Sequence, residues 1–321
     1  MEFGFFLSSE EHGPNDLVAF AQAAESAGFR SALISDHYHP WLDEQGQSPF
    51  VWTVIGALAA TTDLRVTTGV TCPTVRIHPA IVAQAAATCA AMMPGRFRLG
   101  VGSGENLNEH ILGNGWPPVR VRLQMLEEGV GIMRRLWGGG IVTEHTEHYT
   151  VENAQLYTLP EEPPPVLVSA FGAKATELAA RIGDGFVTTK PDAGAVKRYR
   201  EMGGRGPAIA ALKVCWAKTR DEAVRTAHRL WRTEALPGQL AQELPIPRHF
   251  TQAAELVTED MIGESIACGP DPDTHVEAIK KYLDAGFDEL YINQIGKDQA
   301  GFLRFFAREV KPHLRERAAL A

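Results

Sequence analysis

The sequence has few cysteines and no long apolar segment. Its four cysteines, Cys72, Cys89, Cys215 and Cys268, are far apart and form no CxxC pair. This spacing argues against a zinc site and a disulfide framework, and it is typical of a chain in the reducing cytoplasm. No segment reaches the roughly 18 apolar residues of a membrane span. The apolar run at Phe3–Leu7 is too short for a signal peptide, so we expect no membrane association.

Positive charge is in deficit along the chain. The 321 residues include 31 Lys and Arg against 39 Asp and Glu, which gives a net charge of −8. Nucleic-acid-binding proteins carry a basic patch or stripe, and no run of Lys or Arg supplies one here. An apolar content of 45 % also excludes intrinsic disorder. We therefore expect a globular protein whose partner is a small molecule.

Apolar segments of strand length alternate with helical patterns along nearly the whole chain. The first strand is predicted at Phe3–Leu7, and a helix starts at Pro14 and stops at Gly28. Further strands are predicted at or within residues 32–34, 63–70, 97–101, 166–170, 185–188, 208–216 and 290–292. Seven or eight repeated βα units favour a closed barrel of parallel strands. We predict one (β/α)8 TIM barrel domain spanning residues 1–321.

Two insertions interrupt this alternation. Residues 138–164 begin with three glycines, continue with a Thr/Glu/His-rich stretch and end in prolines, which predicts a hairpin. Residues 233–260 contain scattered prolines and no clear period, which predicts a lid or an irregular excursion.

The first insertion contains four potential metal ligands, Glu144, His145, Glu147 and His148. Imidazole and carboxylate groups bind transition metals when they converge on one point. Alternation and exposure in a hairpin explain the same residues. We therefore expect no metal site.

A polar cluster follows the second predicted strand. It reads Ser35-Asp36-His37-Tyr38-His39-Pro40-Trp41, and it falls on a βα loop, which faces the active site in a barrel. A histidine here can act as a general base, since imidazole titrates near neutral pH. The alternative is structural: Asp36 caps a turn, while the histidines and Trp41 pack the loop.

Glycines are concentrated after the strand at 97–101, in the segment Gly100-Val101-Gly102-Ser103-Gly104-Glu105. The segment matches only part of the dinucleotide-binding fingerprint, because Glu105 replaces the third glycine. A bare backbone lets a flat ligand approach, with Glu105 and Asn108 beside it on the first turn of a helix. The alternative is a tight turn in which Glu105 is an acid at a helix N-terminus.

Two more strand ends carry groups suited to a ligand. Thr67–Thr74 supplies hydroxyl groups, and Ser169–Ala175 passes through Gly172 into a helix. Free N–H groups at such a helix start can bind phosphate. Both patterns also occur in proteins without a ligand at that place.

Together these motifs resemble the bacterial luciferase-like superfamily of (β/α)8 barrels. Within it they resemble the branch that uses the deazaflavin coenzyme F420, typified by F420-dependent glucose-6-phosphate dehydrogenase. The matching segments are 35–41, 73–79, 100–105, 107–109, 183–186 and 302–312. The resemblance covers nearly the whole chain. It implies coenzyme F420 as the cofactor, hydride transfer between a carbinol or carbonyl carbon and the deazaflavin, and a homodimer.

The resemblance also implies roles for single residues. His37 would take the proton of the substrate hydroxyl, Trp41 would wall the substrate pocket and Glu105 would protonate the deazaflavin. Glu10 matches a family acid near the substrate. Relatives have a non-proline cis peptide bond at the position of Gly69–Val70. The residues implied to hold the cofactor are Asp36, Gly69, Val70, Gly102, Ser103, Gly104, Glu105, Asn108, Gly172 and Ala173.

The substrate-binding residues implied by the resemblance are Trp41, Thr189, Lys190 and Lys213. The sugar-phosphate enzymes hold the substrate phosphate with Lys and Arg on later loops. Here the corresponding places carry Asp192, Gln252 and Ser265. Phosphate recognition normally depends on such cations. We therefore expect an alcohol, a sugar or a lipid-like substrate without phosphate as much as glucose 6-phosphate.

Two other functions stay open at this point. An FMN-dependent monooxygenase on the same barrel would use a reduced flavin that meets oxygen, so bound FMN with oxygen uptake would identify it. A barrel that binds a flavin without turnover is the other alternative. An activity that survives the substitution His37→Ala would favour it.

Overall fold

The computed structural model describes residues 1–314. The strands, in chain order, are β1 Glu2–Leu7, β2 Ser31–Ile34, β3 Arg65–Thr68, β4 Phe97–Val101, β5 Val142–His145, β6 Thr150–Ala154, β7 Val166–Ser169, β8 Gly185–Thr188, β9 Ala208–Cys215, β10 Ala267–Cys268 and β11 Glu289–Gln294. Eight of them form a closed parallel barrel in the order β1, β2, β3, β4, β7, β8, β9 and β11, and β11 pairs with β1. The predicted (β/α)8 TIM barrel is confirmed, although β3 is shorter than the predicted segment 63–70.

Helices connect these strands and surround the barrel. They are α1 Pro14–Ser26, α2 Val51–Thr61, α3 Pro79–Met92, α4 Asn106–Glu109, α5 Val119–Trp137, α6 Ala173–Ile182, α7 Ala193–Glu201, α8 Arg220–Trp231, α9 Leu240–Glu243, α10 Pro247–Ala253, α11 Glu259–Ser265, α12 Pro272–Asp284 and α13 Gln299–Phe305. Gly28 and Gly286 follow α1 and α12 with φ of 92° and 85°. Glycine adopts this left-handed conformation without a Cβ penalty, so the chain can leave each helix and enter the next strand.

The two predicted insertions have different structures. Residues 138–164 contain the antiparallel pair β5–β6. Residues 233–260 are more regular than we predicted, because they contain the short helices α9 and α10 after a 3₁₀ turn at Arg232–Ala235. The side-chain amide of Asn106 donates to the backbone oxygen of Glu243 (2.9 Å), which ties this second segment to α4. No helix among residues 1–314 is both long and apolar enough to cross a membrane.

The barrel interior is layered along its axis. Residues from five strands meet there in an apolar cluster that consists of Leu33, Leu167, Val187, Ile209, Ala211 and Tyr291. Burial of each large aliphatic side chain in such a cluster contributes about 1.5–3 kcal/mol. At the N-terminal end of the barrel, Arg98 donates two hydrogen bonds to Glu289 (2.9 and 2.8 Å). The interior is therefore filled, which leaves the C-terminal end for a ligand.

Candidate active site

Two cavities that share part of their lining lie at the C-terminal end of the barrel. The outer cavity has a volume of about 950 Å³, and the inner cavity has about 300 Å³. Val70, Glu105 and Phe171 are among the residues that line both. The loops after β1, β2 and β4 bring Glu10, His37 and Glu105 together at the inner cavity. Residues far apart in sequence thus form one site.

His37 lies between two carboxylates. Its Nδ1 is 3.2 Å from Oε1 of Glu10, and its Nε2 is 3.5 Å from Oε2 of Glu105. The indole of Trp41 packs edge-on against the imidazole, with 5.2 Å between ring centroids. The side chain of His37 is only 10 % exposed, so the three neighbours restrict its orientation. This arrangement can hold a proton on either side of the ring.

Hydroxyl groups fix the carboxylate of Glu10. Ser8 and Ser35 both donate to its Oε2, at 2.9 and 2.7 Å. Oε1 is left to face His37. Because Glu10 is 2 % exposed, its charge is stabilised by these donors rather than by bulk water.

Asn108 connects the two loops that carry His37 and Glu105. Its Oδ1 accepts from the backbone N–H groups of Tyr38 (2.9 Å) and His39 (3.1 Å), and its Nδ2 donates to Glu105 (3.1 Å). Both ends of the amide therefore have protein partners. The structure shows a positioning residue, and the contact of Asn108 with a cofactor stays a prediction.

Glu105 has a raised pKa. Withdrawal from solvent is the largest cause, and the carboxylate of Glu10 acts in the same direction. His37 and the hydrogen bond from Asn108 act in the opposite direction without cancelling the effect. Glu105 therefore keeps a proton to higher pH than an ordinary glutamate does, which suits an acid catalyst.

Asp36 belongs to a buried ionic network. One of its oxygens accepts from the hydroxyl of Thr71 (2.6 Å) and the other from Arg76 (2.9 Å). Glu109 accepts from the backbone N–H groups of Val75 (3.1 Å) and Arg76 (2.6 Å). The network fixes the loop after β3 against α4. Whether Asp36 also contacts a cofactor stays a prediction.

The peptide bond Gly69–Val70 is cis, as the resemblance implies. Val70 lines both cavities, and its side chain fills the space beside Gly102. A Cβ on Gly102 would lie 2.8 Å from Cγ2 of Val70. Gly102 is thus required by packing, and Gly104 is required by its φ of 89°. Ser103 and Gly104 line the outer cavity together with Gly102.

Four basic side chains line the outer cavity, together with the three glutamates Glu105, Glu127 and Glu177. The basic residues are Arg120, Lys174, Arg181 and Lys190. Arg181 is paired with Glu127, whereas Lys174 and Lys190 form no ion pair within the described part of the chain. Gly172 and Ala173 begin α6 at the same cavity. A helix start therefore lies at this cavity, and its binding of a phosphate stays a prediction.

The predicted substrate residues fall into two groups. Trp41 and Lys213 line the inner cavity, while Thr189 and Lys190 are exposed at its rim. Nζ of Lys213 lies 2.7 Å from Glu234 and 4.2 Å from the ring centre of Trp231. The cation is thus already paired within the protein.

The three positions where sugar-phosphate enzymes carry cations have ordinary structural surroundings. Asp192 caps α7 by accepting from the N–H group of Ala195 (3.0 Å). Gln252 and Ser265 are exposed on α10 and α11, outside the lining of both cavities. None of the three side chains therefore replaces the cations that bind the substrate phosphate in the sugar-phosphate enzymes.

Sequence reasoning missed Glu11, Trp231 and Glu234. Glu11 accepts from the indole N–H of Trp231 (2.6 Å) and from the backbone N–H of Gly296 (2.8 Å). Burial raises the pKa of Glu11 to about 7. The adjacent acids Glu10 and Glu11 at the end of the first strand were a usable signal. Trp231 and Glu234 lie in or beside a segment without periodicity, so no sequence signal pointed to them.

His145 and His148 of the hairpin are predicted to bind no metal. Three potential ligand atoms, from Glu128, Glu147 and His148, lie within 4.8 Å of one another. Glu147 is exposed, and Glu128 accepts from the backbone N–H of His148 (3.1 Å). Hydrogen bonds between α5 and the hairpin explain the proximity, so the absence of a metal stays a prediction.

Comparison with known proteins identifies the family of the chain. The profile of the luciferase-like monooxygenase family matches residues 1–289. The F420-dependent glucose-6-phosphate dehydrogenases of Microbacterium testaceum and Nakamurella multipartita are each 36 % identical to the chain. These alignments cover 99 % of the chain and 99 % of the first protein, and 98 % of the chain and 97 % of the second.

A solved structure is also similar over nearly its full length. It is an F420-dependent secondary alcohol dehydrogenase in complex with an F420–acetone adduct. The TM-score is 0.89 at 30 % identity, and the match covers 98 % of each chain. From the matching profile and the full-length relatives, the chain belongs to the luciferase-like monooxygenase family.

Proposed function

We propose that the chain is a coenzyme F420-dependent oxidoreductase that transfers a hydride between a carbinol or carbonyl carbon and the deazaflavin. The observation that carries this proposal is the position of His37 between Glu10 and Glu105 at the inner cavity. The relatives at 36 % identity, named as F420-dependent dehydrogenases, support the same cofactor.

The cavities fit such a cofactor. Coenzyme F420 consists of a flat deazaflavin ring and an anionic tail that carries a phosphate. The N-terminus of α6 at Gly172 and Ala173 supplies N–H groups for a phosphate, and Lys174 and Arg120 add positive charge at the rim. Val70 and Gly102 would hold the ring at the boundary of the two cavities. The remaining cofactor residues of the sequence prediction, Asp36, Gly69, Ser103, Gly104, Glu105 and Asn108, line one or both of these cavities.

The chemistry is divided between the cofactor and the chain. Coenzyme F420, when bound, supplies a ring carbon that accepts or returns a hydride. Nε2 of His37 would take the proton of the substrate hydroxyl, and Glu10 would stabilise the resulting imidazolium from Nδ1. Glu105 is suited to donate a proton because its pKa is raised. Trp41 restricts the imidazole and walls the substrate space, so it contributes by positioning.

Cofactor binding is the direct test. Titration of the purified protein with oxidised coenzyme F420 should quench the fluorescence of the protein. The titration should give a Kd in the micromolar range or below. A parallel titration with FMN tests the alternative that the protein is an FMN-dependent monooxygenase. Saturable binding of FMN with oxygen uptake, and none of coenzyme F420, would refute the proposal.

Turnover is the second test. A panel of alcohols and carbonyl compounds is offered to the F420-loaded enzyme and to the variant His37→Ala. General-base catalysis contributes about 10²- to 10⁴-fold, so the variant should lose that factor in kcat and keep cofactor binding. His39→Ala is a matched control, because Nδ1 of His39 bonds to the backbone oxygen of Leu107 (2.9 Å) and the ring lies outside the lining of both cavities.

We further propose that the enzyme acts in the cytoplasm as a homodimer on an uncharged small molecule. The four cysteines are free and buried, which agrees with a reducing compartment. The homodimer follows from the resemblance to the superfamily. Light scattering after gel filtration should give twice the mass of the chain, and the mass of a single chain would refute it.

A further inference from the structure

The inner cavity contains more carboxylates than cations. Two lysines line it, Lys190 at the rim and Lys213 further in. The carboxylates that line it are Glu10, Asp36, Glu105, Glu109 and Glu234. Much of the remaining wall is apolar, from Phe6, Leu33, Val187, Ala211, Trp231 and Leu236. Asp36 and Glu109 are paired with Arg76, and Glu105 keeps a proton to higher pH than an ordinary glutamate does. Glu10 and Glu234 are therefore the carboxylates that would repel a negatively charged substrate group in this space.

Glu234 neutralises the inner lysine. Its carboxylate lies 2.7 Å from Nζ of Lys213, whose side chain is 19 % exposed. The indole of Trp231 covers the ammonium group from a second direction, at 4.2 Å. An anionic group that approached Lys213 would also meet the negative charge of Glu234, 2.7 Å from Nζ.

The surroundings hold the pair in place. Glu234 is part of the 3₁₀ turn Arg232–Ala235, which follows directly on α8. Trp231 at the end of α8 donates to Glu11 (2.6 Å), and Arg232 on the same turn pairs with Glu44 (2.8 Å). These two contacts hold the backbone that carries Glu234, and its side chain, which is 36 % exposed, reaches Lys213 from that fixed turn.

We propose that Glu234 is a specificity-determining residue, which occupies Lys213 and reserves the inner cavity for an uncharged carbinol. A hydroxyl or carbonyl group on the substrate can bond to the Lys213–Glu234 pair without breaking it, because a hydroxyl both donates and accepts. A phosphate or carboxylate group brings a negative charge against the carboxylate of Glu234 and is excluded by repulsion. This proposal rests on the proposed function, since it names the substrate class of that same site.

Inorganic phosphate is the probe, measured by calorimetry on enzyme saturated with coenzyme F420 so that the cofactor phosphate site is filled. Wild type should show no saturable binding in the millimolar range, and Glu234→Gln should bind phosphate at least tenfold more tightly. The double variant Glu234→Gln/Lys213→Met should lose that gain. Equal phosphate affinity of wild type and Glu234→Gln would overturn the proposal.

Glu44→Gln is the matched control. It removes a carboxylate paired with the neighbouring Arg232, outside the lining of both cavities, and should leave phosphate affinity unchanged.

A second test uses the wild-type enzyme and needs no variant. Its kcat/KM for glucose 6-phosphate should be at least tenfold below that for its best uncharged alcohol, and the reverse order would overturn the proposal. Failure to bind coenzyme F420 would instead refute the proposed function, so the two failures are distinguishable.

Discussion

Oε1 of Glu10 lies 3.2 Å from Nδ1 of His37, while Oε2 of the same carboxylate is held by the hydroxyl groups of Ser8 and Ser35. A carboxylate in this position favours a proton on Nδ1. Nε2, on the side of Glu105, is then free to accept a proton. The tautomer of His37 thus depends on Glu10 in the loop after β1, which lies earlier in the sequence than the loop that carries His37.

The substitution Glu10→Gln should lower kcat about a hundredfold. The amide oxygen can replace Oε2 as the acceptor from the two serines, and the amide nitrogen then donates to Nδ1. This stabilises the tautomer with its proton on Nε2, which cannot act as a base toward the substrate. Single-turnover kinetics with bound coenzyme F420 measures the effect. Ser8→Ala is the control, because it removes one hydroxyl donor and keeps the carboxylate, and it should cost less than tenfold. A Glu10→Gln enzyme within twofold of wild type would contradict this account.

Asn108→Asp should change the pH profile. The new carboxylate can still accept from the N–H groups of Tyr38 and His39, but it replaces a hydrogen bond to Glu105 with a like charge. The pKa of Glu105, already raised by withdrawal from solvent, should rise further. The alkaline limb of the kcat profile for the step that needs protonated Glu105 should therefore move to higher pH. A limb that stays in place or moves to lower pH would contradict the role given to Glu105.

Much of this site was predictable because its parts follow strands that the alternation of βα units reveals. The sequence placed His37 and Glu105 on loops at one end of the barrel, and the structure brings them together. The contacts of Glu11 with Trp231 and Gly296 span 220 and 285 residues, and no local pattern encodes them. The role of Glu234 was hidden for the same reason, because only the packing of α8 against β9 places it beside Lys213.

Arg98 and Glu289 form a buried pair inside the barrel. Removal of Arg98 alone should cost more stability than removal of both side chains. Arg98 is 8 % exposed and donates to both oxygens of Glu289 and to the hydroxyl of Tyr291 (2.7 Å). Arg98→Met leaves a buried carboxylate with fewer partners and should lower the free energy of unfolding by about 3–5 kcal/mol. The double variant Arg98→Met/Glu289→Leu should recover most of that loss. Urea denaturation measures both, and a double variant less stable than Arg98→Met would contradict the argument.

His12 should make the protein acid-sensitive. Burial lowers the pKa of His12 from 6.5 to about 4, because the imidazole is 6 % exposed and packs edge-on against Phe20. Between these two values the unfolded chain binds a proton that the folded protein does not, so stability falls as the pH falls from 6.5 towards 4. The difference in pKa corresponds to about 3 kcal/mol. His12→Phe retains an aromatic ring and should lose the part of the pH dependence of stability that His12 causes. His145→Phe, at a side chain that is 59 % exposed, should keep it. Chemical denaturation at pH 7 and pH 4.5 tests the prediction, and the same loss of stability in His12→Phe as in wild type would refute it.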